Sequence, residues 1–331
     1  MKIIVDDKIP FIREKLAMIT DDVVYIRGSE ICQNDLKDAD ALIVRTRTRC
    51  DSRLLEGTNV QFVATATIGF DHIDIDYLQS AGISWMSCPG CNAASVAQYI
   101  NSTLLVLGID LESSVLGVVG CGHVGSLVKA VGEQLGMSVM VSDPPLGRPD
   151  FVSLEEIASN ADVITFHVPL DGTTHYMAGK RFFSMLRKKP WIINSSRGGV
   201  VDERELIDAL DIGVVRGAVV DTWENEPSIN TILLNKVYIG TPHIAGYSAD
   251  GKVNADNMVI EGLCRHFGIP NPGKIMPPPL PSDFVYTGNP LQLYNPLDDS
   301  IKLKRNPDDF ERLRGDYPLR REKAEIVHGN T

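Results

Sequence analysis

Short β-branched runs alternate with helical stretches almost from one end of this chain to the other, and that alternation leaves few folds open to it. Strand-like runs are Lys2–Val5, Ala41–Arg45, Phe62–Thr65, Ser114–Val119, Ser138–Val141, Val163–His167, Trp191–Ser195, Gly217–Val220 and Val237–Gly240. Helical patterns lie between them, among them Ile9–Met18, Ala93–Leu107, Gly125–Leu135 and Glu203–Leu210. Strand and helix repeated over such a length build parallel sheets joined by right-handed crossovers. The runs are apolar throughout rather than alternating, as strands covered on both faces require. The expected class is α/β.

A chain of 331 residues is longer than one core usually fills, so two domains are expected. The turn Cys88-Pro89-Gly90, followed by a long apolar helix, marks a crossing near residue 93. A second crossing falls after His243, where a helix-like segment starts near Ser248. One domain, residues 1–93 with 246–270, is then interrupted by another, residues 94–245, and residues 271–331 form a tail. Residues 269–300 hold eight of the 19 prolines, which excludes a long helix or central strand there. The last stretch is charged with mixed signs and reads as partly helical.

A net charge of −11 argues against nucleic acid as a partner, since that partner needs a basic face to displace phosphate counterions. A small anionic substrate stays open, because a few local arginines can bind one inside an acidic protein. No apolar run approaches the ~20 residues of a membrane span. The opening Met1-Lys-Ile-Ile-Val-Asp-Asp7 runs into a strand without the apolar stretch of a secretory signal. Six scattered cysteines fit reduced thiols in the cytoplasm.

The run Leu116-Gly-Val-Val-Gly-Cys-Gly-His-Val-Gly125 leaves an apolar strand and opens an apolar helix. In its G-x-G-x-x-G pattern each glycine has a mechanical reason. Gly120 makes the tight turn, Gly122 lets a pyrophosphate approach, and Gly125 packs helix on strand. Phosphates then sit against the free N–H groups of a helix N-terminus. Alone the pattern is weak, and a glycine-rich connection would explain it. It gains from Asp143, which ends the next strand about 20 residues on, where ribose hydroxyls should lie. A carboxylate there would repel a 2′-phosphate, so NAD is expected over NADP.

Three further motifs follow, each at a strand end: Asn194-Ser-Ser-Arg-Gly198, Asp221-Thr-Trp-Glu-Asn-Glu-Pro227 and Thr241-Pro-His-Ile-Ala-Gly246. Ligands of doubly wound sheets bind at such ends. Oxidising an alcohol needs a base for its proton, and His243 is the natural candidate, since histidine is the side chain whose unperturbed titration lies near neutrality. Glu226 could bond its other ring nitrogen and fix the tautomer. Arg197 offers a planar fork for a carboxylate and could polarise the nascent carbonyl. Singly, each is better read as a solvated arginine, a turn histidine or a loop boundary. Their combination and order favour chemistry.

These motifs resemble the D-isomer-specific 2-hydroxyacid dehydrogenase family over roughly residues 1–270. Supporting segments are Lys2-Ile-Ile-Val-Asp6, Ala41–Thr46, Thr65–His72, Cys88–Ala93, Asp143-Pro-Pro145 and Ile239–Tyr247. The resemblance implies an NAD-dependent dehydrogenase with a Rossmann-type domain inserted in a flavodoxin-like α/β substrate domain, followed by a short C-terminal dimerisation tail. It implies Arg197, Glu226 and His243 as catalytic residues. His123, Val124, Asp143, Val168, Ser195, Ser196, Arg197, Asp221 and Gly246 would contact NAD, and Thr46, Thr67 and Tyr247 substrate. Thr46 stands where a serine is usual, and Val168 where a threonine is. In the tail, Asn306–Arg314 and Leu319–Glu322 resemble the later part of a longer dimerisation domain, so a homodimer through an altered surface is expected.

Within that family the likeness is to a branch acting on a small phosphorylated 2-hydroxy acid; rival branches use phosphoglycerate or glyoxylate/hydroxypyruvate, and corepressors that sense NAD share the fold. The residues themselves favour a phosphate: Arg45-Thr46-Arg47 ends one strand and Thr65-Ala-Thr67 another, and alternation lets only one arginine point inward. Arg45 is the expected one. Cys88-Pro-Gly-Cys91 has no second pair and no clustered histidine, so the thiols read as packing residues and no metal site is expected. His72 reads as a turn histidine near the active cleft.

Overall fold

The apolar runs pair as two parallel sheets in a computed structural model of the chain, which describes residues 1–323. In chain order the strands are β1 (Ile3–Asp6), β2 (Val23–Ile26), β3 (Ala41–Val44), β4 (Phe62–Thr65), β5 (Ser84–Met86), β6 (Val115–Val119), β7 (Ser138–Ser142), β8 (Val163–Phe166), β9 (Trp191–Asn194), β10 (Gly217–Val220) and β11 (Ile239–Gly240). One sheet has the order β2-β1-β3-β4-β5 and the other β11-β10-β9-β8-β6-β7. Every pairing within them is parallel. Strands β1, β3, β4, β8, β9 and β10 are buried at every residue. Their alternate side chains feed opposite faces: Ile3 and Val5 join one core and Ile4 another, as do Ile192 and Ile193.

The sequence runs leave out β2 and β5. Both lie at a sheet edge: β2, Val-Val-Tyr-Ile, is an apolar run that is only partly buried, and β5 is three residues long and starts with a serine.

The chain divides into two units, residues 1–92 with 248–282, and residues 93–247 with 283 onward. The first has the flavodoxin-like strand order. The second, counted from its own first strand, runs 2-1-3-4-5-6 and reverses direction between β6 and β8. A full Rossmann sheet carries one more strand outside β7. Here Val152 N–H donates to Val141 O at 2.8 Å on that side, a single hydrogen bond in its place. No helix among the described residues is long and apolar enough to cross a membrane.

Residues 271–323 do not stand apart as one tail, and residues 324–331 of the expected tail lie outside the described residues. Asn257 clamps Ile275 to the first unit through Nδ2 to its carbonyl at 3.0 Å and Oδ1 from its amide at 2.8 Å. Past residue 283 the chain joins the second unit, where Leu303 and Phe310 are fully buried in the core. Each such side chain contributes roughly 1.5–3 kcal/mol. Helix Pro296–Arg305 also covers the open edge of β11, where Gly240 N–H donates to Ser300 Oγ at 3.0 Å. Unpaired edges invite wrong partners, and this one is closed by the chain itself.

In the first unit, helix Ala249–Phe267 buries Asp256 to 1% exposure, with Oδ2 accepting Phe11 N–H at 3.0 Å. Burial pushes this carboxyl up to about 7, against the Phe11 amide and the charges of Lys252 and Arg45. A raised folded pKa means the carboxylate form is disfavoured by folding, so stability falls as pH rises from the ordinary 3.8 through about 7. Thermal melts should therefore show less loss of Tm between pH 5 and 8 in Asp256→Asn than in the parent. Part of the loss should persist, because burial raises Glu203 to about 7 as well. Identical pH profiles would mean Asp256 does not ionise across that range.

Candidate active site

The second unit's expected site residues all fall at or just past the carboxyl ends of its strands: the glycine loop after β6, Asp143 after β7, Val168 after β8, Ser195 to Arg197 after β9, Asp221 after β10, His243 and Gly246 after β11. Within the loop, Gly120 has φ +88°, and a Cβ there would lie 2.5 Å from His167 O. A Cβ on Gly125 would lie 1.9 Å from Gly120 O. Both are therefore required by the protein's own packing. Gly122 is different. Its φ is −73°, open to any residue, and a Cβ would meet nothing within 4 Å.

A glycine that the fold does not need, at the N-terminus of helix His123–Gln134, fits the close approach of a pyrophosphate from outside. The residues around it suit the same group. His123 is exposed and Val124 half-buried in the first helical turn; past the end of β9, on the same side of the sheet, Ser195 Oγ is a buried hydroxyl with no hydrogen-bond partner. Asp143 also has an internal role that the sequence did not disclose. Its Oδ2 accepts Cys121 N–H at 2.7 Å, bracing the glycine loop.

His243 and Glu226 meet. Glu226 Oε2 and Oε1 lie 2.8 and 3.1 Å from His243 Nδ1, and Oε1 also accepts Trp223 N–H at 3.0 Å. Arg314 Nη1 stands 3.4 Å from Oε2. Burial works to raise the Glu226 carboxyl, but the bond and charge of His243, the Trp223 amide and the Arg314 charge outweigh it and hold it below its ordinary range. The histidine ring stays partly open, with 25% of its side chain exposed.

The backbone at His243 is held in a left-handed conformation, φ +55°. A non-glycine residue keeps such a shape only when its surroundings dictate it. Asp221 does much of this. Its carbonyl accepts His243 N–H at 2.8 Å. Its carboxylate accepts the Ile244 and Ala245 amides at 2.8 and 3.0 Å and the Thr241 hydroxyl at 2.6 Å. The resemblance assigns Asp221 to the cofactor, but its carboxylate oxygens turn to the histidine's loop.

Arg197 sits in a tight turn after β9, half-buried, with Nη1 donating to Ser196 O at 2.9 Å. Asn194 builds the turn, giving Nδ2 to Arg197 O at 2.8 Å and accepting the Ser196 hydroxyl at 2.9 Å. A Cβ on Gly198 would lie 2.2 Å from Trp223 O, so that glycine lets the arginine's loop press on the loop that carries Glu226.

In the first unit, Thr46 is exposed at the end of β3, beside half-buried Arg45 and exposed Arg47. Arg45 Nη1 donates to Lys8 O at 3.2 Å, and its Nε has no hydrogen-bond partner. Thr67 donates to Gly69 O at 2.9 Å and lies 2.7 Å from Thr65 Oγ1, which His72 Nε2 approaches at 3.0 Å. Burial pushes the His72 imidazole down, as suits a neutral structural histidine. Cys88 and Cys91 are buried thiols, and burial pushes the Cys88 thiol well above its ordinary range. Tyr247, in the second unit, accepts Arg314 Nε at its hydroxyl, 3.2 Å away.

Residues 92–245 match the family model described as D-isomer specific 2-hydroxyacid dehydrogenase, NAD binding domain. Over nearly its full length the chain is 51% identical to an erythronate-4-phosphate dehydrogenase of Bacteroides fragilis, covering 98% of each. The chain belongs to the D-isomer specific 2-hydroxyacid dehydrogenase family. An erythronate-4-phosphate dehydrogenase of Azotobacter vinelandii is 39% identical over 97% of this chain and 93% of its own. Among solved members of the family, the NAD+-bound 3-phosphoglycerate dehydrogenase of Entamoeba histolytica has TM-score 0.70 at 28% identity, covering 81% of this chain and 95% of its own. The Aquifex aeolicus D-lactate dehydrogenase, solved with NAD and lactic acid, has TM-score 0.68 at 25% identity, covering 81% and 96%. The chain is an NAD-dependent enzyme of this family.

Sequence reasoning did not find Asn194, Thr241, Arg314 or Arg320. Asn194 lay inside a quoted motif, and an Asn before two serines signals a side-chain-stabilised turn. The two arginines lie in the segments Asn306–Arg314 and Leu319–Glu322, whose resemblance points to a dimerisation domain and not to this site. The glycines separate two roles by experiment. Gly125→Ala should lower stability by about 1–3 kcal/mol through overpacking. Gly122→Ala should melt like the parent yet bind NAD about tenfold or more weakly, read by fluorescence titration. Parental affinity in Gly122→Ala would remove the phosphate from that face.

Proposed function

We propose that this chain catalyses the NAD-dependent oxidation of 4-phospho-D-erythronate to (R)-3-hydroxy-2-oxo-4-phosphooxybutanoate, a step in pyridoxal 5′-phosphate biosynthesis. The Glu226–His243 pair at the catalytic edge of an NAD-binding sheet carries the reading, with the names of relatives at 38–51% identity giving its substrate. Bound NAD supplies the hydride acceptor. The Glu226 carboxylate against Nδ1 keeps the proton of a neutral imidazole on that nitrogen. Nε2 is left with its lone pair, as a base for the C2 hydroxyl. When the ring takes that proton, Glu226 stabilises the imidazolium. Arg197 is the fork for the substrate carboxylate and the forming carbonyl.

In the same reading Gly120, Gly122, His123, Val124, Gly125, Asp143, Val168, Ser195, Ser196, Arg197, Asp221 and Gly246 line the cofactor. Thr46, Thr67 and Tyr247 contact substrate. Arg45, with an unpartnered Nε, suits a phosphate's acceptor oxygens. Six free cysteines, four of them buried, fit a reducing cytoplasm. Met276 and Val285, 72% and 73% exposed, are large apolar side chains that a homodimer would cover.

Turnover assays check the chemistry. His243→Ala should lose roughly 10²–10⁴-fold in kcat with NAD affinity nearly intact, and Glu226→Gln should lose less. Parental turnover in His243→Ala would remove it as the acid/base. Unphosphorylated erythronate should be a far poorer substrate than 4-phosphoerythronate, and Arg45→Ala should erase most of that difference. Similar kcat/KM for both substrates in the parent would sink the phosphate site. Higher kcat/KM with 3-phosphoglycerate would move the chain to another branch of the family. Asp143→Ala should weaken NAD binding and narrow the preference over NADP.

A further inference from the structure

Arg320 lies well past the matched domain, residues 92–245, yet its guanidinium is buried against the loop that carries His243. Nη1 donates to Ile244 O and Tyr247 O, both at 3.0 Å, and approaches the Tyr317 hydroxyl at 3.3 Å. Nη2 donates to Ala245 O at 2.6 Å and to Ser95 Oγ and O at 3.1 and 3.4 Å. Nε donates to Gln98 Oε1 at 2.9 Å, and the guanidinium carbon stands 4.0 Å over the Tyr294 ring.

None of these acceptors is a carboxylate. A buried cation held by neutral groups is a poor device for stability, because desolvating the charge is offset only by dipoles. As a rigid fork of donors it is a good one for fixing backbone. Three of its acceptors are carbonyls within the four residues after His243. Asp221 takes the amides of the same stretch, so the peptide group joining Ile244 and Ala245 is gripped at both ends, N–H by an anion and C=O by a cation. His243 stands immediately before that peptide in a left-handed conformation that its own residue type does not favour.

We propose that Arg320 is a positioning residue for His243: it fixes the backbone that aims the imidazole, and the C-terminal segment is thereby part of the catalytic centre. This rests on the acid/base role given to His243. Ser95 and Gln98, on helix Ala93–Val106, anchor the guanidinium from behind. Arg314 works beside it, between Glu226 and the Tyr247 hydroxyl.

The test uses the full-length chain with NAD and 4-phosphoerythronate, comparing the parent with Arg320→Met, Arg320→Ala and His243→Ala. Misaiming a catalytic group by an ångström lowers turnover by about 10²-fold, and Arg320→Met should lose kcat on that scale while NAD affinity and a cooperative melt are kept. Millimolar methylguanidinium should restore part of the kcat of Arg320→Ala, and methylammonium should not. Parental kcat in folded Arg320→Met overturns the proposal. So does a kcat loss that tracks lost NAD affinity without guanidinium rescue, which is the behaviour of a merely structural residue. If neither Arg320 variant folds, the double variant Ser95→Ala with Gln98→Leu decides, by the same kcat loss or its absence. A parent that turns over while His243→Ala matches it would fail the acid/base reading instead, before Arg320 is reached.

Discussion

Asp221 keeps a carboxylate 1% exposed at the end of β10, where burial drives its carboxyl above the ordinary range even against the charge of His243 and the donors around it. Those donors are the physical reason the site has its shape. A buried carboxylate must be met by hydrogen bonds, and the groups that meet it here are the Thr241 hydroxyl and the amides of Ile244 and Ala245. The chain therefore has to turn sharply as it leaves β11, and His243 is carried at the turn. Tyr99, fully buried, extends the network with its hydroxyl 2.8 Å from Thr241 Oγ1, tying the same turn to helix Ala93–Val106.

Two kinds of residue share this edge of the sheet. His243 keeps part of its ring exposed, and a Cβ on Gly122 would stand in open space. Asp221, Asn194, Glu226 and Gly198 face inward and decide where the first group stands. The second set holds its hydrogen bonds with other parts of the chain: Asn194 with the Arg197 turn, and Glu226 with Trp223 and the imidazole. Against burial, the hydrogen bond and charge of His243 hold the Glu226 carboxyl below its ordinary range.

Much of this was legible in the residues. Period and β-branching gave the buried strands, because a strand covered on both faces must be apolar throughout. The glycine spacing and the order of Arg197, Glu226 and His243 pointed to dehydrogenase chemistry, and of these residues Glu226 and His243 do meet. Of the two edge strands, Val23–Ile26 is itself a continuous apolar run, whereas β5, three residues beginning with Ser84, is too short to show a pattern. The split of the tail was hidden too. Asn257 clamps Ile275 through two hydrogen bonds and Ser300 caps β11 through one, and a sequence shows no period for such isolated contacts. Asp143 illustrates a different limit: its place predicted a partner outside the chain, whereas the bond to Cys121 is internal and has no signature of its own.

The covering of β11 by helix Pro296–Arg305 bears on the order in which the protein is made. Synthesis delivers residues in sequence, and domains close as their last segment leaves the ribosome. The first unit is completed by residues up to 282, whereas the sheet of the second, finished as strands by Gly240, waits for Ser300, Leu303 and Phe310 to cover its edge and fill its core. A nascent chain arrested between the two would carry one closed unit and one exposed strand edge. The interrupted unit, begun first and resumed late, is thus finished ahead of the unit inserted into it.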